Sequence, residues 1–210
     1  MSQVENKVAE KLLSINAVKV QPKNPFTWAS GWKSPIYCDN RKTLSYPEIR
    51  TLIKKELANI VSEKYADADV IAGVATGAIA QGALVAELLG KPFVYVRSAP
   101  KDHGMENLIE GDLKAGQKVV VIEDLISTGG SSLKAVAALR AANVEVMGMV
   151  AIFTYGFPIA TQKFAEANVE LTTLSNYNAV LQHLLDTKQI GEAEMATLKT
   201  WREAPEVWGK

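Results

Sequence analysis

Hydrophobic residues recur along the chain at two spacings, one typical of amphipathic helices and the other of buried strands. Apolar positions three or four residues apart predict helices over 1–20 and 45–65. In the second segment Pro47 falls in the first turn, and Ser45 stands three residues before Glu48, as in a capping box. We therefore expect Ser45 to begin this helix.

From residue 69 onward, short apolar runs alternate with amphipathic segments. Strands are predicted at 69–73, 93–97, 119–122, 144–155 and 169–174, and helices at 79–89, 131–142, 159–167, 178–185 and 192–201. Alternation of this kind is typical of βαβ units, whose strands lie parallel. The pattern predicts an α/β fold, with a mostly parallel twisted sheet flanked by helices.

Length and composition indicate one domain. A chain of 210 residues, 48% of them hydrophobic, can bury a sizeable core but is short for two full domains. Residues 21–38 are rich in proline and aromatic side chains and interrupt the alternation of strands and helices. We predict a single domain over 1–210, with residues 1–40 as a small N-terminal appendage.

Charge and cysteine content exclude several classes of function. Lysine plus arginine and aspartate plus glutamate both number 23, so no overall basic field would attract nucleic acid or an anionic membrane. Cys38 is the single cysteine, so the chain cannot form an internal disulfide, and cysteine and histidine do not occur at metal-binding spacings. We expect a cytoplasmic protein with no nucleic-acid partner, no membrane span and no protein metal cage.

Residues 118–132 carry the most informative motif. An apolar strand leads into Glu123 and Asp124 and then into a turn of hydroxyls and glycines before a helix. Glycines let backbone N–H groups approach a phosphate, and the partly positive N-terminus of a helix favours an anion. Carboxylates at the end of a strand can accept hydrogen bonds from ribose hydroxyls. The motif predicts a site for a phosphorylated ribose.

An ordinary βα turn is the alternative interpretation of this motif, but it does not account for the whole fifteen-residue run. Walker and dinucleotide-binding glycine patterns are absent from the chain. The strand, the paired acids and the glycine-rich turn together resemble the phosphoribosyl pyrophosphate signature of the type I phosphoribosyltransferases.

The segment 98–113 is a long polar loop between two predicted strands, and loops of this length are often active-site lids. Taken in isolation, it can equally be solvated surface. The order Arg97, Lys101, His103, Gly104 resembles the flexible loop of the orotate phosphoribosyltransferases. Many members have lysine directly after the arginine, where this chain has Ser98.

Residues 26–41 resemble the N-terminal hood of the same family. The backbone of Ile36 and Tyr37 is a candidate for the edge of a planar pyrimidine, and Lys33 and Arg41 are candidates for a carboxylate. The aromatic side chains of this segment can instead seal the hood to the core. Many members carry a lysine where this chain has Ala29.

Gly73 to Ile79 can form a second backbone loop for pyrophosphate, although glycines in βα turns often serve only close packing. Some members of the family have a lysine in this loop. Here Thr76 and the glycines are compatible with backbone contacts, and the loop contains no lysine.

The resemblance implies transfer of the 5-phosphoribosyl group from phosphoribosyl pyrophosphate (PRPP) to orotate in the synthesis of UMP. It also implies Mg²⁺ held mainly by the substrate, and a homodimer in which subunits share lid residues. The residues implied to bind PRPP are Arg97, Lys101, His103, Glu123, Asp124, Leu125, Ile126, Ser127, Thr128, Gly129, Gly130 and Ser131; those implied to bind orotate are Lys33, Ile36, Tyr37, Arg41 and Ser127; and Arg97, Lys101 and His103 are implied to be catalytic. A PRPP-sensing regulator and a purine phosphoribosyltransferase are the alternatives.

Overall fold

The computed structural model describes residues 2–28, 31–99 and 108–208. Its α-helices are α1 (Gln3–Ser14), α2 (Pro47–Lys64), α3 (Ile79–Leu89), α4 (Gly130–Ala141), α5 (Pro158–Glu166), α6 (Tyr177–Asp186) and α7 (Glu192–Glu203). Its strands are β1 (Val18–Val20), β2 (Phe26–Thr27), β3 (Lys33–Ser34), β4 (Ile36–Cys38), β5 (Val70–Val74), β6 (Phe93–Val96), β7 (Ile109–Glu110), β8 (Lys118–Ile126), β9 (Glu145–Thr154) and β10 (Leu171–Asn176).

The central sheet has the strand order β10-β9-β8-β5-β6-β7, and its strands are parallel except for β7. Residues 119–122 of β8 are fully buried, because hydrophobic clusters cover both faces of the sheet. The predicted α/β fold with a mostly parallel sheet is therefore confirmed.

The strand order reverses between β5 and β8. From β5 the chain moves outward to β6, whereas from β8 it moves in the opposite direction to β9 and β10. The connections that leave the carboxyl ends of β5 and β8 therefore diverge and leave a crevice between them. Such a switch point is where open α/β sheets bind ligands.

The first 40 residues divide into two structural parts. Helix α1 packs on α6 and β10, with Val8 and Leu12 in the main core. The following residues form two small antiparallel pairs, β1 with β4 and β2 with β3. We call residues 18–38 the hood. The pattern did not indicate these strands, because segments of two or three residues are too short to show a period.

An aromatic cluster joins the hood to the rest of the chain. The Trp28 ring lies 5.1 Å from the Tyr155 ring and 5.7 Å from the Trp201 ring, measured between centroids. Trp28 also donates from Nε1 to the Ile36 carbonyl, and Trp201 donates to the Lys33 carbonyl. For Trp28, these contacts favour the role of sealing the hood to the core.

Several boundaries differ from the predictions. The helix predicted over 1–20 ends at Ser14 and is followed by β1, and β8 continues four residues past its predicted end at residue 122. The expectation that Ser45 caps α2 is wrong, because Ser45 ends a 3₁₀-helix (Asn40–Ser45) and Tyr46 is the N-cap. Pro47 forces the preceding residue into an extended conformation, so the helix cannot begin earlier. The loop predicted over 98–113 includes β7, an edge strand of two residues.

Within the part of the chain that the structure describes, no helix is both long and apolar enough to cross a membrane.

Candidate active site

A cavity of about 500 Å³ lies at the switch point. Three segments line it: the end of β8 with its following turn, the connection after β5, and the end of the hood with the start of the 3₁₀-helix. The lining residues are Cys38, Asp39, Arg41, Val74, Ala75, Thr76, Gly77, Glu123, Asp124, Leu125, Ser127, Thr128, Gly129 and Ser131.

Glu123 lines this cavity but is almost completely buried. Its side chain is 5% exposed, and it accepts hydrogen bonds from the Ser132 hydroxyl at 2.8 Å and from the Asp124 backbone N–H at 2.9 Å. Burial, reinforced by the charge of Asp124, raises the pKa of Glu123 to about 8. Glu123 therefore shapes the end of the strand and is poorly placed to be a freely exposed anion.

Asp124 is less deeply buried than Glu123, and it is the carboxylate of this cavity that a ligand can contact more readily. Burial raises its pKa, while the nearby Arg41 guanidinium opposes that shift. The Asp124 carboxylate lies directly against Gly77, since a Cβ added there would stand 2.3 Å from the Asp124 Cγ. The predicted second loop and the predicted acids therefore meet in one site.

The turn after β8 leads directly into α4. Gly129 has φ +78°, and a Cβ there would lie 2.9 Å from the Phe164 ring, so this position requires glycine. No side chain among the described residues caps α4. Its first N–H groups therefore lack a side-chain cap, and Ser127, Thr128 and Ser131 line the cavity beside this helix end, an arrangement suited to a phosphate.

Leu125 and Ile126, both implied to bind PRPP, differ in how far they are buried. The Ile126 side chain is fully buried in the core, so only its backbone could reach a ligand. Leu125 is among the residues that line the cavity, and its side chain packs partly against the core.

Among the candidates for orotate, Arg41 and Ser127 line the cavity. Arg41 makes a two-pronged contact with Asp39, at 2.7 and 3.1 Å, although 59% of its side chain remains exposed. This contact raises the pKa of Arg41 and lowers that of Asp39, chiefly through the side-chain hydrogen bond. The guanidinium is thus held at the cavity mouth as a fixed cation.

The other three candidates lie elsewhere in the hood. As far as the described residues go, the cavity lining leaves out Lys33, Ile36 and Tyr37. Lys33 Nζ donates to Thr27 Oγ1, and the backbone N–H and C=O of Ile36 both bond within the hood. The Tyr37 ring is partly exposed and packs 5.7 Å from the Phe26 ring.

Arg97 lines a neighbouring cavity of about 670 Å³, which shares Val74, Ala75 and Ser131 with the first. Its Nη1 atom lies 3.7 Å from Glu110 Oε1, which is an ion pair but too long for a hydrogen bond. Ser98 lines the same cavity. Lys101 and His103 lie outside the described residues, as does Ala29.

Sequence reasoning missed several residues of the site. Cys38 and Asp39 line the cavity, Ser132 holds Glu123, and Asn40 donates to the Asp124 carbonyl. Ser132 ends the motif that was recognised, so its hydroxyl could have been included. Asn40 is 84 residues from Asp124, and no local pattern connects the two.

Comparisons with known proteins agree with this geometry. A family profile described as phosphoribosyl transferase domain matches residues 43–180. The chain is 65% identical to an orotate phosphoribosyltransferase of Phocaeicola vulgatus over 208 residues, covering 99% of this chain and 98% of the relative. It is 64% identical to one of Porphyromonas gingivalis, covering 96% of each. The solved orotate phosphoribosyltransferase of Aeropyrum pernix superposes with a TM-score of 0.76 at 28% identity, covering 88% of this chain and 99% of that one.

Proposed function

The chain belongs to the orotate phosphoribosyltransferase family, and from that premise we propose that it converts orotate and PRPP to orotidine 5′-monophosphate and pyrophosphate in pyrimidine nucleotide synthesis. One observation carries the proposal: an uncapped helix N-terminus and a carboxylate share one cavity, within the described residues, at the switch point of the sheet. This pairing suits a phosphate joined to a ribose.

The 5′-phosphate is assigned to the turn between β8 and α4. The backbone N–H groups of Gly129 and Ser131 and the hydroxyls of Ser127 and Thr128 supply donors around the anion, and Gly130, which lines the neighbouring cavity, adds its N–H beside them. Asp124 accepts hydrogen bonds from the ribose hydroxyls, and Glu123 supports the Asp124 backbone from behind. Leu125 and Ile126 connect the two carboxylates to the phosphate-binding turn that begins at Ser127.

The pyrophosphate is assigned to the side facing the β5 connection and Arg97. The residues 75–77 offer backbone contacts, and the cavity around Arg97 opens beside them. Arg97 and Lys101 stabilise the charge that grows on the leaving pyrophosphate, and His103 bonds or protonates it. Closure of the loop would keep water from the ribosyl cation.

Mg²⁺ fits this set of residues. The cation prefers oxygen ligands, keeps several waters and binds substrate phosphates with few carboxylates. Asp124 can hold it through water, while both carboxylate oxygens of Glu123 already accept hydrogen bonds. When bound to PRPP, Mg²⁺ would neutralise phosphate charge.

Orotate is assigned to the side of the cavity nearest the hood. Arg41 is the candidate cation for its carboxylate, because Asp39 holds the guanidinium at the mouth of the cavity. Ser127 can add a hydroxyl. Lys33, Ile36 and Tyr37 would reach the base only if the hood rearranged, because their polar groups bond within it or lie outside the cavity lining that the structure describes.

We further propose that the protein is a homodimer whose subunits share the loop that contains Lys101. The cytoplasmic location expected from the single Cys38 stays a prediction.

The test is to follow orotate absorbance with PRPP and Mg²⁺ present, with uracil, hypoxanthine and adenine as parallel bases. Consumption of orotate alone supports the proposal. Consumption of a purine would favour a purine phosphoribosyltransferase, and PRPP binding without transfer to any base would favour a regulator. Lys101→Ala should lower turnover by roughly a hundredfold or more if the loop stabilises the leaving group. Unchanged turnover would overturn that role.

A further inference from the structure

Strand β8 continues past the strand that pairs with it on one side. Its pairing with β5 ends at Gly73 opposite Ile122, whereas its pairing with β9 continues to Thr154 opposite Ile126. The last residues of β8 therefore have a neighbouring strand on the β9 side only, within the described sheet. Asp124 lies in this overhanging part.

Side chains take the place of the missing strand at Asp124. Its backbone N–H donates to the Glu123 carboxylate, and its C=O accepts from Nδ2 of Asn40. A buried carbonyl without a partner is unfavourable, so the Asn40 amide replaces a ladder hydrogen bond. Asn40 thereby fixes the peptide from which the ribose-binding carboxylate projects.

The Asn40 amide is itself held in one orientation. Asn40 is 1% exposed, and the Cys38 thiol donates to its Oδ1 at 3.4 Å, which leaves Nδ2 directed at Asp124. Its backbone carbonyl accepts from Thr43 Oγ1 at 2.6 Å, and Gln81 Nε2 in turn donates to that hydroxyl. A rigid polar chain thus connects the hood and α3 to the cradle.

We propose that Asn40 is a positioning residue for PRPP: it holds the Asp124 backbone so that the carboxylate meets the ribose hydroxyls. This inference rests on the proposed function. It makes the 3₁₀-helix that follows the hood part of the PRPP site, although Asn40 itself is not among the described residues that line the cavity.

The decisive variant is Asn40→Asp, which keeps the shape but replaces the donor with an acceptor facing the Asp124 carbonyl. We expect the KM for PRPP to rise about tenfold, with the KM for orotate and kcat changed less than about twofold. Asn178→Asp is the matched control, because it makes the same change at an exposed residue of α6 outside the described cavity lining, where the new carboxylate can still accept the hydrogen bond from Arg202. It should leave both KM values near those of the unmodified protein.

A double-mutant cycle separates positioning from general destabilisation. PRPP binding is measured by calorimetry with Mg²⁺ for Asn40→Asp, Asp124→Ala and the double variant. If Asn40 acts through Asp124, adding Asn40→Asp to Asp124→Ala causes little further loss of affinity. If Asn40→Asp does not fold, Asn40→Ser, which is too short to reach the carbonyl, replaces it in the same cycle.

Additive losses, equal losses for both substrates, or the same loss in Asn178→Asp would overturn the positioning role. If the unmodified protein transfers the phosphoribosyl group and the cycle is additive, only this inference fails. If the unmodified protein binds no PRPP, the proposed function and this inference fail together.

Discussion

Replacing Gly77 with alanine would place a methyl group where the Asp124 carboxylate lies. The added Cβ would stand 2.3 Å from Asp124 Cγ, 2.3 Å from Oδ2 and 2.5 Å from Oδ1. Non-bonded carbon atoms are ordinarily about 3.5 to 4.0 Å apart. The carboxylate must therefore retreat by more than about 1 Å, or the β5 connection must move by the same distance.

The expected loss follows from hydrogen-bond geometry. A ribose hydroxyl about 2.7 Å from a carboxylate oxygen would be roughly 3.7 Å away after that shift, which is beyond hydrogen-bond distance. Hydrogen bonds to charged groups contribute about 1.5 to 3 kcal/mol, so PRPP affinity should fall roughly 10- to 150-fold. The free energy of unfolding should change by about 1 kcal/mol or less, because a carboxylate can rotate away without moving the backbone.

Calorimetric titration with PRPP and Mg²⁺, together with urea unfolding, measures both quantities. Gly191→Ala is the control, since a Cβ there meets nothing within 4 Å and the residue is the N-cap of α7, outside the described cavity lining. In an Asp124→Ala background the Gly77 methyl group has room, so it should cause little further loss. Wild-type affinity in Gly77→Ala, or an undiminished loss in the Asp124→Ala background, would refute the reasoning.

Three further predictions concern pH, orotate and stability. Burial and the charge of Asp124 raise the pKa of Glu123 from 4.5 to about 8, so between these pH values the folded chain holds a proton on Glu123 that the unfolded chain has lost. The contribution of this proton to the free energy of unfolding is fully present below about pH 4.5 and is lost as the pH rises through about 8. Glu123→Gln should flatten this decline in urea unfolding measured across pH, and parallel curves would contradict it. Arg41→Ala should raise the KM for orotate about tenfold and that for PRPP much less, in steady-state assays, because it removes the cation that Asp39 holds at the cavity; an unchanged KM for orotate would rule out this role. Trp201 is fully buried among aromatic rings, so Trp201→Ala should lower the free energy of unfolding by roughly 3 to 5 kcal/mol in urea, and Trp201→Phe by less; a loss under about 1 kcal/mol would be inconsistent with this packing.

Local patterns predicted the elements that form the sheet and its flanking helices. Helix α3 matches the predicted 79–89, and α4 begins one residue before the predicted start. These elements are long enough to show a hydrophobic period. Their backbone hydrogen bonds join residues close in sequence within a helix, or residues of adjacent strands within the buried sheet. The hood strands have only two or three residues, which is too few to show a repeating pattern, so local patterns did not predict their pairing.

The same division holds for the candidate site. The chain by itself predicted the turn from Glu123 to Ser131 as a candidate phosphate site, because such a turn is contiguous and its glycines and hydroxyls occur at fixed spacing. Only the tertiary structure brought Gly77 against Asp124, directed Asn40 to its carbonyl, and separated Arg41 from Lys33 and Tyr37. Those contacts depend on the order of the strands and on the way the hood folds back over them. Such long-range geometry is set by packing of the whole core, which no short stretch of sequence encodes.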